Sequence, residues 1–239
     1  MKIDDLDINY IQYGKGKDIV LLHGWAQNIE MMKYLGDELS GFRITILDLP
    51  GFGASSMPTS VLTIYDYRDV LDKFLNKLKI TNPIIIGHSF GGRIAITYAA
   101  TKNIEKLILF GSPCFRKRGL TLKERTLKTV KKMVPEKFAD LAKKYIGSAD
   151  YKKADPRLRK ILVEVVNADL TEDARNIKCP TLLIWGTNDD AAPIAEAREL
   201  ESILSDGALI ELEGYGHYAY IEAKDQVKNI LDSFLGGNN

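Results

Sequence analysis

Residues 83–86, Pro-Ile-Ile-Ile, form an unbroken apolar run that leads straight into Gly87-His88-Ser89-Phe90-Gly91. The next nine residues, Gly92-Arg93-Ile94-Ala95-Ile96-Thr97-Tyr98-Ala99-Ala100, read as a helix. A chain that passes from strand to helix within five residues must turn sharply, and small residues two before and two after the central serine keep such a turn free of steric clash. The arrangement pushes the Ser89 hydroxyl into the open, at a helix N-terminus whose N–H groups favour developing negative charge. Ser89 is therefore a candidate nucleophile, and the alternative is an ordinary turn serine.

Around this point strands and helices alternate. Strand candidates are 43–48, 83–87, 106–111, 180–186 and 208–212, and their near-continuous Ile/Val/Leu character suits strands buried on both faces. Helical stretches at about 29–39, 61–79, 90–102, 192–204 and 218–235 fill the gaps. Residues 3–22 read as an opening hairpin, with Gly14-Lys15-Gly16-Lys17 as its turn and 18–22 as the returning strand. The whole implies an α/β fold with a mostly parallel, doubly wound sheet. The alternation breaks once, between about 113 and 172, where amphipathic stretches follow one another without a strand. Phe138, Leu141, Ala142, Tyr145 and Ile146 stand at helical spacing, as do Leu158, Ile161, Leu162 and Val165. The expected organisation is a core of residues 1–112 and 173–239 with a helical lid, 113–172, over the strand ends.

The chain of 239 residues is long enough for one sizeable core, and 45% hydrophobic with 27% charged residues excludes the disordered and fibrous classes. No run approaches membrane-spanning length. The acidic start, with no apolar segment, is not expected to be a signal peptide. Cys114 and Cys179 show no metal-ligand spacing, and so few cysteines point to a reducing, cytoplasmic setting.

A serine hydroxyl needs a base within hydrogen-bond reach and a group that fixes the base's tautomer. Of three histidines, His217 follows Glu213-Gly214-Tyr215-Gly216 in a loop after the last expected strand, where it can swing toward Ser89 as general base and acid. Asp189 lies just past the strand ending in Trp185-Gly186, at the same sheet edge. Asp190 is its rival, expected instead to cap the following helix. The chain order Ser89, Asp189, His217 is the one this architecture requires. His23-Gly24-Trp25 follows the strand ending at Leu22, so the backbone N–H groups of Trp25 and Phe90 are candidates for an oxyanion hole. His23 is expected to hold its loop by hydrogen bonds, and His88 to pack or hydrogen-bond behind the turn and not to act as the base, because neighbours in such a turn point apart. No cofactor or metal is needed.

His23-Gly24-Trp25, residues 48–55 (Asp-Leu-Pro-Gly-Phe-Gly-Ala-Ser), the Ser89 turn, 185–189 and 214–217 together resemble the α/β-hydrolase superfamily over nearly the whole chain. Within it the chain is most similar to the small carboxylesterases that demethylate pimeloyl-carrier-protein methyl ester, through 21–25, 48–53 and Ser112-Pro113-Cys114-Phe115. The resemblance implies Ser89, Asp189 and His217 as the triad and Trp25 and Phe90 as the oxyanion hole. The tryptophan expected before the nucleophile in those esterases is His88 here.

Charge is unevenly spread. Residues 112–170 hold 16 Lys/Arg against 7 Asp/Glu, while the rest hold 17 against 25. A basic surface beside the site would steer an anionic partner, an acidic acyl carrier protein being one candidate. The plainer reading is that these lysines are the solvated faces of amphipathic helices. Nucleic acid is disfavoured, since no recognition motif is present. The chemistry expected is hydrolysis of a small carboxylic ester through an acyl-enzyme. Thioester or carbon–carbon bond hydrolysis, a lyase on the same residues, and a non-enzymatic ligand sensor remain open.

Overall fold

The computed structural model describes residues 1–116 and 156–236. After a short antiparallel pair, β1 (Lys2–Ile3) and β2 (Leu6–Asp7), come β3 (Tyr10–Gly14), β4 (Lys17–Leu22), β5 (Phe42–Leu47), β6 (Ile84–His88), β7 (Lys106–Phe110), β8 (Thr181–Gly186) and β9 (Gly207–Leu212). These seven form one sheet in the order β3-β5-β4-β6-β7-β8-β9, parallel throughout except for β3. The helices are α1 (Ile29–Gly36), α2 (Ile64–Leu78), α3 (Phe90–Ala99), α4 (Pro156–Asn167), α5 (Thr171–Arg175), α6 (Ile194–Ile203), α7 (Ala219–Glu222) and α8 (Lys224–Leu235).

The two-residue period of a strand sorts the core into two layers. Ile19, Leu21, Ile44, Ile46, Ile84, Ile86, Ile108 and Phe110 face one way and pack with Met32 and Leu35 of α1 and Val227 and Leu231 of α8. Val20, Leu22, Ile85, Leu107, Leu109 and Leu183 face the other way and pack with Leu71 and Phe74 of α2, Ile94 of α3 and Leu200 of α6. Each such side chain, fully buried, contributes roughly 1.5–3 kcal/mol of transfer free energy, which is why uninterrupted Ile/Val/Leu runs predict strands covered on both sides. Helix α2 starts where Thr63 and Asp66 cap each other's backbone N–H groups, and it stops at Lys79 in the left-handed region.

The opening segment departs from the expected hairpin. β3 and β4 are not neighbours, because β5 runs between them, antiparallel to β3 and parallel to β4. Gly14 (φ +78°) and Gly16 (φ +115°) serve a crossing over the start of β5: a side chain at either would overlap the carbonyl of Phe42 or Gly41.

Of the expected lid, 117–155, including the stretch 138–146, lies outside the described residues. The stretch 158–165 forms α4, burying Ile161, Leu162 and Val165. Arg157 donates to Pro58 O at 2.8 Å, tying α4 to the loop after β5. Where the chain departs after β7 and where it returns are clasped by one buried residue of α3. Arg93 Nη1 donates to Pro113 O and Nη2 to Ala168 O, both at 2.6 Å, and Leu170 N–H donates to Cys114 O at 3.0 Å. Burial lowers the Arg93 guanidinium to about 10, which leaves it charged near neutral pH. Among the described residues no helix is long and apolar enough to cross a membrane.

Helix α3 is pressed onto the sheet so closely that a Cβ at Gly91 would overlap the carbonyl of Leu22 at the end of β4. Gly91→Ala is accordingly expected to cost about 2 kcal/mol of stability, a fall of roughly 4–8 °C in Tm for a chain of this size. Thermal unfolding followed by circular dichroism measures it, and a Tm within 1 °C of the parent (~1 °C, below the shift expected for 1 kcal/mol) would contradict the close packing.

Candidate active site

Ser89 has φ 51° and ψ −110°, a strained conformation for a residue with a side chain, costing on the order of 1–3 kcal/mol. The strain is held by its surroundings. Ser89 N–H donates to Phe110 O at 2.9 Å, and a Cβ at Gly87 would run into the backbone of Gly91 and Gly92. The turn thus exists because three glycines let α3 begin one residue after β6 ends.

His217, in the loop after β9, places Nδ1 2.7 Å from Asp189 Oδ2. Asp189 stands just past β8, and its Oδ1 accepts the N–H groups of Ala191 (2.9 Å) and Ala192 (2.8 Å). The carboxylate is therefore held from both sides and almost wholly buried. Of the two neighbouring aspartates, Asp189 faces the imidazole, whereas Asp190 is exposed. Helix α6 takes Pro193, not Asp190, as its N-cap residue. The bonding of Asp189 to 191 and 192 is what shapes that loop instead.

The serine turn and the histidine loop meet at one rim of the sheet. Gly111 follows Phe110, the acceptor of the Ser89 N–H, and a Cβ on Gly111 would stand 3.0 Å from both Asp189 Oδ2 and His217 Nδ1. His88, next to Ser89, has its ring centroid 4.7 Å from that of His217. His217 Nε2, the nitrogen left over for a hydroxyl, is buried and has no hydrogen-bond partner among the described residues, Ser89 included. Catalytic hydrogen bonds are commonly loose in the unliganded state and tighten with substrate bound.

Trp25 and Phe90 have ring centroids 5.3 Å apart, with Phe52 against both. Neither main-chain N–H has an acceptor among the described residues. The Trp25 loop is fixed by His23, which is fully buried. Its Nδ1–H donates to Gly24 O (2.7 Å) and its Nε2 accepts the N–H of Leu49 (2.9 Å), so the ring is the neutral Nδ1–H tautomer. Two residues without an assigned role in the sequence reading share this work. Asp48 accepts from Ile29 N–H, Ala54 N–H and Asn9 Nδ2, and Gln27 accepts from Gly24 N–H. Their signal was a polar side chain amid buried loops, but their partners lie far along the chain.

A site of this kind on a mostly parallel seven-stranded sheet defines a class. The family profile of the alpha/beta hydrolase fold matches residues 18–146, and one described as TAP-like protein matches 163–237. The chain belongs to the α/β-hydrolase family. It is 31% identical to the AB hydrolase superfamily protein YisY of Bacillus subtilis over 92% of each chain. It is 29% identical to the pimeloyl-[acyl-carrier protein] methyl ester esterase of Nitrosospira multiformis, over 91% of this chain and 94% of that one. Among solved structures, the enol-lactonase of Burkholderia xenovorans superposes with a TM-score of 0.80 at 25% identity, covering 98% of both chains.

Burial drives His23 from its ordinary 6.5 down to about 4, against the opposing pull of the Gly24 carbonyl and the Asp48 charge. It pushes His88 well below the ordinary value too, with the neighbouring His217 charge adding to the effect. As pH falls, the unfolded chain takes up these protons first. The stabilisation is therefore complete above about pH 6.5 and is lost on the way down to pH 4. His23 alone is expected to contribute about 3 kcal/mol to the loss between pH 7 and pH 4. Urea unfolding across that range measures the slope, and His23→Gln should flatten it; an unchanged slope, with the wild-type His23 ring titrating near 6.5 by NMR, would refute the assignment.

Proposed function

We propose that this chain is a serine hydrolase of carboxylic esters. The observation that carries the reading is the Asp189–His217 pair at the rim where the strained Ser89 turn emerges. In the reaction, His217 Nε2 takes the Ser89 proton as Oγ attacks the ester carbonyl, and Asp189 holds the ring with Nδ1–H bonded to the carboxylate. The negative charge that develops on the carbonyl oxygen is received by the Trp25 and Phe90 N–H groups, each worth about 3 kcal/mol in comparable enzymes. His217 then returns the proton to the departing alcohol, leaving an acyl-enzyme. Water, deprotonated by the same imidazole, releases the acid and restores Ser89.

Ser89→Ala is expected to lower kcat on a short p-nitrophenyl ester roughly 10⁴-fold or more, and Asp189→Asn by a comparable factor through the wrong tautomer. Tight ligand binding with negligible turnover would instead make the chain a sensor on a hydrolase scaffold, and turnover equal in Ser89→Ala would remove Ser89 as the nucleophile. Product analysis separates ester from thioester, carbon–carbon and lyase chemistry, since the same residues serve all of them.

The charge split favours a particular kind of ester. The excess of Lys/Arg over residues 112–170, together with a relative whose substrate is carrier-linked, supports an acidic acyl carrier protein as the bearer of the acyl group, with a lid over 113–172 as its landing surface. A cytoplasmic setting goes with this reading, and Cys114 and Cys179 are both free thiols. Activity on a carrier-linked methyl ester is expected to fall as salt rises through the range where the Debye length shrinks from about 10 Å to about 3 Å, while a small neutral ester is little affected. Equal salt dependence of the two substrates would remove the carrier protein from the proposal.

A further inference from the structure

The loop that carries Trp25 and the loop that carries His217 are 191 residues apart where they join, and a buried set of polar groups bridges them. Gln27 is 3% exposed. Its Oε1 accepts the Gly24 N–H at 2.9 Å, its own N–H donates to Gly24 O at 3.2 Å, and its Nε2 donates to the Tyr218 hydroxyl at 3.3 Å. His88, fully buried, has Nε2 3.0 Å from His217 O. A carbonyl only accepts, so the His88 proton sits on Nε2. The neutral ring then has none for Nδ1, and its 3.3 Å approach to Gln27 Oε1 is a packing contact. The His88 ring also lies against those of Tyr218 and Tyr220, at 5.3 and 4.9 Å. A Cβ on Gly24 would press on both His88 Nδ1 and Gln27 Nε2, which leaves the bridge no slack at that point.

We propose that Gln27 and His88 are positioning residues that lock the two loops together. Gln27 ties Gly24 to Tyr218, and His88 ties the serine turn to the main chain of His217, so that the Trp25 N–H and the His217 ring keep one spacing about Ser89. The roles of Trp25, His217 and Ser89 are those of the proposed function, on which this inference rests. The physical need is clear: reacting groups must be held to about 0.5 Å, and each loop is attached to a different strand with no sheet ladder between them. Burial keeps the bridge neutral and intact across the working range, since it pushes the Tyr218 hydroxyl up to about 12 and His88 well down.

The test uses Gln27→Met, Tyr218→Phe and the double variant, with two readouts. With p-nitrophenyl acetate, each single variant is expected to lower kcat roughly ten- to a hundredfold with KM within about twofold, because misplacement of catalytic groups, and not substrate binding, is what changes. The double variant should be no slower than the worse single one, as two ends of one connection are removed. In ¹H–¹⁵N spectra of the folded protein, Tyr218→Phe should shift the Trp25 amide and Gln27→Met the His217 imidazole resonances, each change appearing in the opposite loop. Variants that lose only thermal stability, with kcat unchanged and spectral changes confined to their own loop, would overturn the lock. Should the parent show no Ser89-dependent turnover, the proposed function fails while the spectra still decide: cross-loop shifts support the lock, and their absence refutes it.

Discussion

The close seating of α3 against the sheet is the constraint on which the rest of the site depends. A helix that begins one residue after a strand ends must bring its first turn against the neighbouring strands, and this is possible only where Cβ atoms are missing. Gly87 and Gly92 face one another, Gly91 meets Leu22 of β4, and Gly92 meets the side chain of Ser112. The strain at Ser89 costs on the order of 1–3 kcal/mol, and it is offset by the burial of every residue of α3. Because Ser89 N–H reaches Phe110 O across the rim, the serine turn is fixed relative to β7. The residue after Phe110 is the glycine against which Asp189 and His217 pack. One packing solution therefore positions the serine and leaves room for its partners.

Much of this was legible in the chain because the signals are local. Runs of Ile, Val and Leu marked five parallel strands within a residue or so, the glycine pattern marked the serine turn, and loop position after an apolar strand marked Asp189 and His217. The hairpin expectation failed for a related reason: glycines at 14 and 16 declare that the chain turns, but not which strand lies across from it. β5 takes that place by joining β3 on one edge and β4 on the other.

What the chain concealed is long-range polar pairing. Asp48 bonds to Asn9 across 39 positions and Gln27 to Tyr218 across 191, and no periodicity encodes such a pair. Arg93 interrupts a helix of small and apolar residues, yet it is not an exposed charge. It is instead buried, spending its guanidinium on the carbonyls of Pro113 and Ala168. The same helix thus carries Ser89 ahead of its first turn and, one turn further on, the clasp that closes the base of the segment between β7 and β8. Any movement of that segment about its roots must either carry Arg93 with it or break two hydrogen bonds to a charged donor, each worth about 1.5–3 kcal/mol.

Loops at the strand ends of a parallel sheet have no ladder to satisfy their backbone, so side chains must do it. His23, Gln27, Asp48 and Asp189 all accept main-chain N–H groups in these loops. His217 Nε2 is one of a few buried polar atoms without a hydrogen-bond partner among the described residues, Arg93 Nε and the Tyr220 hydroxyl being others. Each of the other five histidine ring nitrogens faces a polar atom within 3.3 Å, whereas His217 Nε2 is buried with no partner among the described residues. Leaving a buried polar atom unpaired costs about 1–3 kcal/mol. Here the unpaired nitrogen and the strained serine occur at the same rim, where a substrate carbonyl and the Ser89 hydroxyl would supply what both lack. The strained Ser89 and the unpaired His217 Nε2 are the two features that the proposed proton transfer would use.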